Sequence, residues 1–371
     1  MTPIAHGTWS AGRFMHFGEV SSEADFILSI QTAFEAGIRT FVTSDVYGKG
    51  SADSLLGQAL HGIPRGQYHL VGLLGHDIYD GIRQGSSGYP RFTHPDLRGP
   101  EGYSSYLSSA TAKMLERLGT DHLDCAMLHN PDHTGYHSPA VWAAMSQLRS
   151  DGLTSQIGVA PGPANGFTLD LIRCFERFGQ DIDWAMIILN PLEPWPGRLC
   201  LPAASQKGIK VLTRVIDHGG VLWDDVKPGH SFRDGDHRTY RPQGWVEHGH
   251  QKAEAIRPYA DRHGLSLIQL AAAWCLGHEA VHSVVPTVIQ EVGANARPLA
   301  DKIKDLAALP MPQPLSASEI EEIAAIGDNT GCMLVKGASD RHAESTGRPD
   351  EWPMEPAIAE VAARWGLTTS W

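Results

Sequence analysis

Short apolar runs alternate with amphipathic helical patterns along most of the chain, and this alternation constrains the fold more than any other feature. The runs lie near Pro3–Thr8, Thr40–Thr43, His69–Leu74, Leu123–Leu128, Gln156–Val159, Trp184–Leu189, Lys210–Val215 and Val281–Pro286, with a helical pattern after each. Strand three is almost wholly apolar, as a parallel strand covered on both faces must be. Eight repeats of strand then helix predict an α/β fold closed into a (β/α)8 TIM barrel rather than an open sheet. In such barrels the chemistry sits on the loops that follow the strands.

A chain of 371 residues accommodates one large barrel, and no linker or internal repeat marks a second domain. The barrel is expected over residues 1–326. Residues 327–371 form a C-terminal extension with one helix, about Pro356–Trp365, expected to pack on the barrel and to fold back over its mouth. A net charge of −12 argues against nucleic acid or an anionic membrane as partner, because either needs a concentrated basic surface. A small-molecule substrate is expected instead. No run of about 18 apolar residues appears, and the N-terminus lacks the basic-then-apolar layout of a signal peptide. Five scattered cysteines without CxxC spacing read as reduced thiols, which places the expected location in the cytoplasm.

Two stretches carry candidate chemistry. Gly37–Leu60 reads as a strand, a polar turn bearing Tyr47 and Gly48, and a helix capped by Ser51 with Leu55, Leu56 and Leu60 on one face. Leu118–Asp132 reads as a turn and a strand ending at His129. Both side chains then stand at strand ends, where a phenol and an imidazole can exchange protons with a substrate oxygen. Two long polar loops, Gly75–Ser104 and Asp217–Gly244, read as lids or binding loops. Their Tyr79, Tyr89, Tyr103, Trp223, Tyr240, Arg233 and Arg238, with Trp245 just beyond, suit a hydroxyl-rich or carboxylated ligand. Histidine density leaves a metal open, through His129, His133 and His137 beside Asp132, or His218 beside Asp217, against the plainer reading of a histidine-rich pocket rim.

These two stretches resemble the aldo-keto reductases. The pattern G-[IV]-x-x-[FI]-D-T-A-x-x-Y-G, followed by LLG and AL, is met at Thr43, Asp45, Val46, Tyr47, Gly48, Leu55, Leu56, Gly57, Ala59 and Leu60. The fourth-strand signature L-G-x-D-[YH]-[IL]-D-L-x-x-[IL]-H is closely matched through His129. The resemblance implies a barrel of aldo-keto-reductase type and a nicotinamide-dependent oxidoreductase, using NADP or NAD on a sugar-like or other polar carbonyl or alcohol. Tyr47 would be its general acid or base, and His129 would bind the reacting oxygen. Departures are as plain as matches. The catalytic aspartate position holds Val42, and no lysine lies between Lys49 and Lys113 to end strand three. His76, Arg83, Arg91 and Arg214 are the candidate replacement cations.

The cofactor positions implied by the resemblance are also altered. Ala160-Pro161 stands where a Ser-Asn pair holds the nicotinamide amide, Met186 where a glutamine does, and Arg214 where an aromatic ring stacks. The cofactor set carried over is Trp9, Arg214, Glu291 for a ribose hydroxyl and Asn295 near the adenine; basic residues for a 2′-phosphate are not evident in Pro286–Asn295. These changes keep a second reading open: a lyase, isomerase or hydratase on the same barrel, with Tyr47 and His129 moving protons, with or without a metal. A third is a barrel that only binds a ligand or a partner protein.

Overall fold

The computed structural model describes residues 1–84, 88–162, 167–293, 295–330 and 355–367. Eight strands pair in parallel, each with the next in the chain: β1 Ala5–Gly7, β2 Thr40–Ser44, β3 His69–Leu74, β4 Leu123–His129, β5 Thr154–Ala160, β6 Trp184–Ile188, β7 Lys210–Arg214 and β8 Val281–Val285. A parallel bridge between Ile4 and Val284 joins the two outermost strands, so the expected (β/α)8 barrel is the fold observed. Twelve helices are described: α1 Glu23–Glu35, α2 Ser51–Ala59, α3 Tyr103–Leu118, α4 His133–His137, α5 Pro139–Ser150, α6 Thr168–Phe178, α7 Leu201–Lys207, α8 Trp245–His263, α9 Leu267–Leu276, α10 Leu299–Ala307, α11 Ala317–Gly327 and α12 Pro356–Arg364.

Alternation along the strands sorts the apolar residues into two separate clusters. Phe41, Leu70, Leu128, Val159 and Ile187 face outward into the layer under the helices. Val42, Leu73, Met127, Trp184, Met186 and Leu212 fill the barrel interior. Val42, at the position of the family's aspartate, therefore contributes to an apolar floor beneath the mouth. Such a floor strengthens every electrostatic interaction above it.

The turn that carries Tyr47 is fastened from outside the barrel. Thr43 Oγ1 donates to Asp53 Oδ1 on α2 at 2.7 Å, and Arg117 of α3 donates to the other oxygen at 3.0 Å. Gly48, at φ +60°, is required here, because a Cβ would lie 2.5 Å from the Phe14 ring. Helix α2 starts one residue away from the expected place: Gly50 is the cap residue and Ser51 is already inside, its hydroxyl donating back to Gly48 O at 2.8 Å.

The helix that follows β8 begins only at Leu299. Gly293 takes a left-handed φ of +98°, Pro298 is the cap residue, and Glu291 turns inward to an ion pair. The described part of the C-terminal extension packs as α12 against α6. Ile358 and Val361 are buried there, and Trp365 Nε1 donates to Glu176 at 3.0 Å. Residues 331–354 of that extension, with Cys332, lie outside the described residues. The other four cysteines are free and buried. Among the described residues no helix is long and apolar enough to cross a membrane.

His6 on β1 is 2% exposed, and its Nε2 has no hydrogen-bond partner among the described residues. Burial lowers its pKa from 6.5 to about 4. The folded chain thus resists a proton that the unfolded chain accepts. Stability from this group is whole above pH 6.5 and is lost as pH falls to about 4, a span worth about 3 kcal/mol. In urea unfolding at pH 7 and pH 4.5, His6→Phe is expected to lose less stability on acidification than the native chain, by roughly 2–3 kcal/mol.

Candidate active site

Tyr47 and His129 converge at the ends of β2 and β4, with ring centroids 5.8 Å apart and planes at 84°. Trp9, from the end of β1, packs its ring edge-on to Tyr47 at 6.2 Å and donates its Nε1–H to Thr287 Oγ1 at 3.2 Å. His76, just past β3, lies 4.8 Å from the His129 ring. Tyr47 and His129 are both buried, yet neither the Tyr47 hydroxyl nor His129 Nε2 has a hydrogen-bond partner among the described residues. Each keeps its reactive atom available.

The missing lysine has a physical successor. Arg214, ending β7, donates through Nη2 to the carbonyls of Pro161 and Gly162 at 2.9 and 2.8 Å, which carries its guanidinium from β7 to the end of β5. Its positive charge is the one acting on the Tyr47 phenol. Burial nevertheless dominates: it pushes Tyr47 up to about 12, Arg214 opposes it, and the buried carboxyl of Asp45 adds to the rise. Tyr47 is thus a neutral phenol at physiological pH, a proton donor. Burial, then Arg214 and Arg91, hold the His129 imidazole well below its ordinary 6.5 and therefore neutral.

Of the other candidate cations, Arg83 is exposed and takes no part. Arg91 and His76 serve His129 rather than Tyr47. Arg91 donates through Nε to Asn130 O, next to His129, and through Nη1 to His76 Nδ1 at 3.2 Å. Arginine has no acceptor, so His76 Nδ1 accepts in that contact. Burial, Arg91 and His129 keep His76 neutral as well.

The remaining sequence candidates separate. The Glu291 carboxylate is taken up by Arg238: Nη1 donates to one oxygen and Nη2 to the other at 3.1 Å, while the same guanidinium also holds Asp236 at 2.7 Å and Gly219 O at 3.0 Å. Both residues are nearly wholly buried. Glu291 therefore fastens the loop after β7 to the loop after β8. Asn295 is exposed.

Several of the loop aromatics and arginines are engaged within the chain. Trp223 is buried and donates to Thr287 O, Arg233 pairs with Glu19, Tyr103 packs on Phe92, and Tyr240 is exposed. The histidines scatter too. His137 meets Asp170 at 3.2 Å, His133 meets Glu355 at 3.2 Å, His218 meets Glu193 at 3.1 Å, and Asp132 caps α4. Among the described residues no three metal-ligating side chains gather.

One functional residue escaped sequence reasoning: Ser44, the last residue of β2. It lies 2.9 Å from His129 Nδ1 and donates to Leu73 O at 2.9 Å. The signal was present, since the family pattern writes alanine where this chain has Ser44.

A phenol, an imidazole and a guanidinium thus stand at the C-terminal ends of the strands of a closed parallel barrel, the face on which such barrels carry their sites. Residues 3–305 match the Aldo/keto reductase family, and the chain belongs to it. It is 22% identical over 326 residues to a probable voltage-gated potassium channel subunit beta of Arabidopsis thaliana, covering 85% of this chain and 92% of that protein. Its fold is like that of a glycerol dehydrogenase from Gluconobacter oxydans, with TM-score 0.67, 20% identity, and 87% and 90% of the two chains covered. It is also like a Klebsiella pneumoniae aldo/keto reductase in complex with NADP and acetate, with TM-score 0.57, 19% identity, and the same 87% and 90% coverage.

If Glu291 is structural, Glu291→Ala leaves a buried guanidinium half paired and costs about 3–5 kcal/mol in denaturant unfolding. A residue held in reserve for a ribose hydroxyl would cost little.

Proposed function

We propose that the protein is a nicotinamide-dependent oxidoreductase that interconverts a carbonyl and an alcohol on a polar small molecule. The observation that carries this reading is the convergence of two available, oppositely disposed groups: the Tyr47 hydroxyl, a donor, and the neutral His129 imidazole, beside the Arg214 cation. A substrate oxygen between them gains or loses a proton without any group there having to change charge beforehand. The polyol named in the relative from Gluconobacter oxydans supports a hydroxyl-rich substrate.

Fit to the cofactor rests on Arg214. Its Nε is buried and has no hydrogen-bond partner among the described residues, close to the strand-five end where the family's amide-holding side chains are replaced by Ala160 and Pro161. That N–H supplies a donor for a carboxamide oxygen which the β5 side chains no longer provide. Trp9 would form the neighbouring wall, through the ring that packs on Tyr47. A bound nicotinamide dinucleotide supplies the hydride donor or acceptor. The chain's own part is to orient the oxygen through Tyr47 and His129, to exclude water through the loop stapled by Arg238, and to move one proton.

A second reading, proton transfer without a nucleotide, is favoured by one observation: Ala160, Pro161 and Met186 offer no side-chain hydrogen bond where the family has three. Titration with NADH and with NADPH, followed by fluorescence, separates the two. Binding at micromolar levels is expected, and no binding at millimolar levels removes the redox reading. Arg214→Met is expected to weaken nucleotide binding about tenfold by the loss of one hydrogen bond to a charged donor. In a working assay Tyr47→Phe is expected to lower turnover roughly 10²- to 10³-fold, the usual worth of a hydrogen-bond donor aimed at the reacting oxygen.

A further inference from the structure

We infer that Ser44 fixes His129 as the tautomer with its hydrogen on Nδ1, so that the Nε2 facing the mouth is a hydrogen-bond acceptor and the site takes its substrate as the alcohol. This rests on the oxidoreductase reading only for direction; the tautomer follows from the protein alone.

Two oxygens, Ser44 Oγ and Leu73 O, stand 2.9 Å apart. That is hydrogen-bonding distance, and the serine is its donor, since a carbonyl oxygen carries no hydrogen; the other acceptor in reach of Oγ, Asp45 Oδ1, stands farther off at 3.5 Å. The Ser44 hydroxyl hydrogen is therefore committed to Leu73 O. His129 Nδ1, also 2.9 Å from Ser44 Oγ, must then be the donor in that contact. The imidazole is neutral, with Arg214 from β7 and Arg91 from the loop after β3 both acting on it, His76 and Tyr47 packed around it as neutral rings, and no carboxylate paired with it. A neutral imidazole with its hydrogen on Nδ1 carries a lone pair on Nε2.

The Tyr47 ring packs edge-on to the same imidazole, centroids 5.8 Å apart, and its O–H has no hydrogen-bond partner among the described residues. A hydroxyl group satisfies both, donating to Nε2 and accepting from Tyr47. A carbonyl oxygen has lone pairs only; it satisfies Tyr47 and leaves Nε2 facing it unpaired. An unsatisfied buried acceptor favours the alcohol over the matched carbonyl by about tenfold to a hundredfold. In the oxidation direction the O–H bond breaks and its proton passes to His129 Nε2. The hydrogen on carbon leaves with its electron pair to the oxidised nicotinamide named above, and the C=O bond forms. The imidazolium, between two arginines, returns its proton to solvent readily. Ser44 is a positioning residue that acts through His129, and His129 is the group that touches substrate.

The test is nitrogen-15 NMR of histidine-labelled protein without nucleotide, with His129→Gln assigning the resonances. A protonated Nδ1 and an unprotonated Nε2 are expected across the pH range in which an ordinary histidine titrates; the opposite tautomer or an imidazolium overturns the proposal. Ser44→Ala is expected to populate both tautomers, and Ser44→Thr, which keeps the hydroxyl, to restore one. No change in Ser44→Ala overturns the role of Ser44. Trifluoroethanol, an alcohol that cannot itself be an acceptor of note, is expected to move the Nε2 resonance at concentrations where acetone leaves it in place. An equal response, or none to either, overturns the preference for alcohol. Failure of nucleotide binding leaves the tautomer measurement untouched, so the two readings fail separately.

Discussion

One hydrogen bond, from His129 Nδ1 to Ser44 Oγ, ties the end of β4 to the end of β2 across the intervening β3, and the site is organised around it. It exists because parallel pairing aligns the strand ends. Ser44 is level with Leu73 in the β2–β3 ladder, and Leu73 with Met127 in the β3–β4 ladder. In a barrel that register is set by closure as a whole, since shifting one strand by a residue turns its interior side chains outward. The chemistry of the mouth thus depends on packing far below it, in the apolar interior of Val42, Leu73, Met127 and Trp184.

That interior also accounts for how the site works without the family's aspartate and lysine. A buried aspartate–lysine pair tunes a tyrosine by proximity of opposite charges. Here Val42 and Leu73 fill the space, and the tuning charge comes from above, from Arg214, whose guanidinium is steadied by the Pro161 and Gly162 carbonyls. A guanidinium is a more diffuse charge than an ammonium and stays protonated even when buried. It moderates the Tyr47 phenol without lowering it to neutrality, so the phenol remains a donor and the imidazole becomes the complementary acceptor.

The loop after β7 supplies the rest of the enclosure. Arg238 uses its hydrogen-bonding edge on Asp236, Glu291 and Gly219, and Asp236 also accepts from the Gly18 N–H at 2.8 Å. Three loops, those after β1, β7 and β8, are thereby joined around one buried cation. Sequence composition pointed to these arginines and aromatics as ligand-binding. The tertiary structure spends them on each other, because a long polar loop laid against a barrel must satisfy its own buried charges before it can offer any to a ligand.

Alternating apolar runs and helical patterns were enough, read along the chain, to determine eight strands, their order and a closed barrel, because a parallel strand and an amphipathic helix leave periodic marks that depend only on neighbours in sequence. The positions of Tyr47 and His129 at strand ends were legible for the same reason. The late start of helix α10 was not legible, since the pull of Arg238 on Glu291 is a contact between residues 53 apart. Ser44 passed unnoticed, although it departs from the family pattern, because a serine at a strand end has no chemistry until a histidine 85 residues away is brought beside it. Which arginine serves Tyr47, and which nitrogen of His129 carries the hydrogen, were decided only when the barrel closed. Both are properties of distances across strands, and no local pattern encodes those.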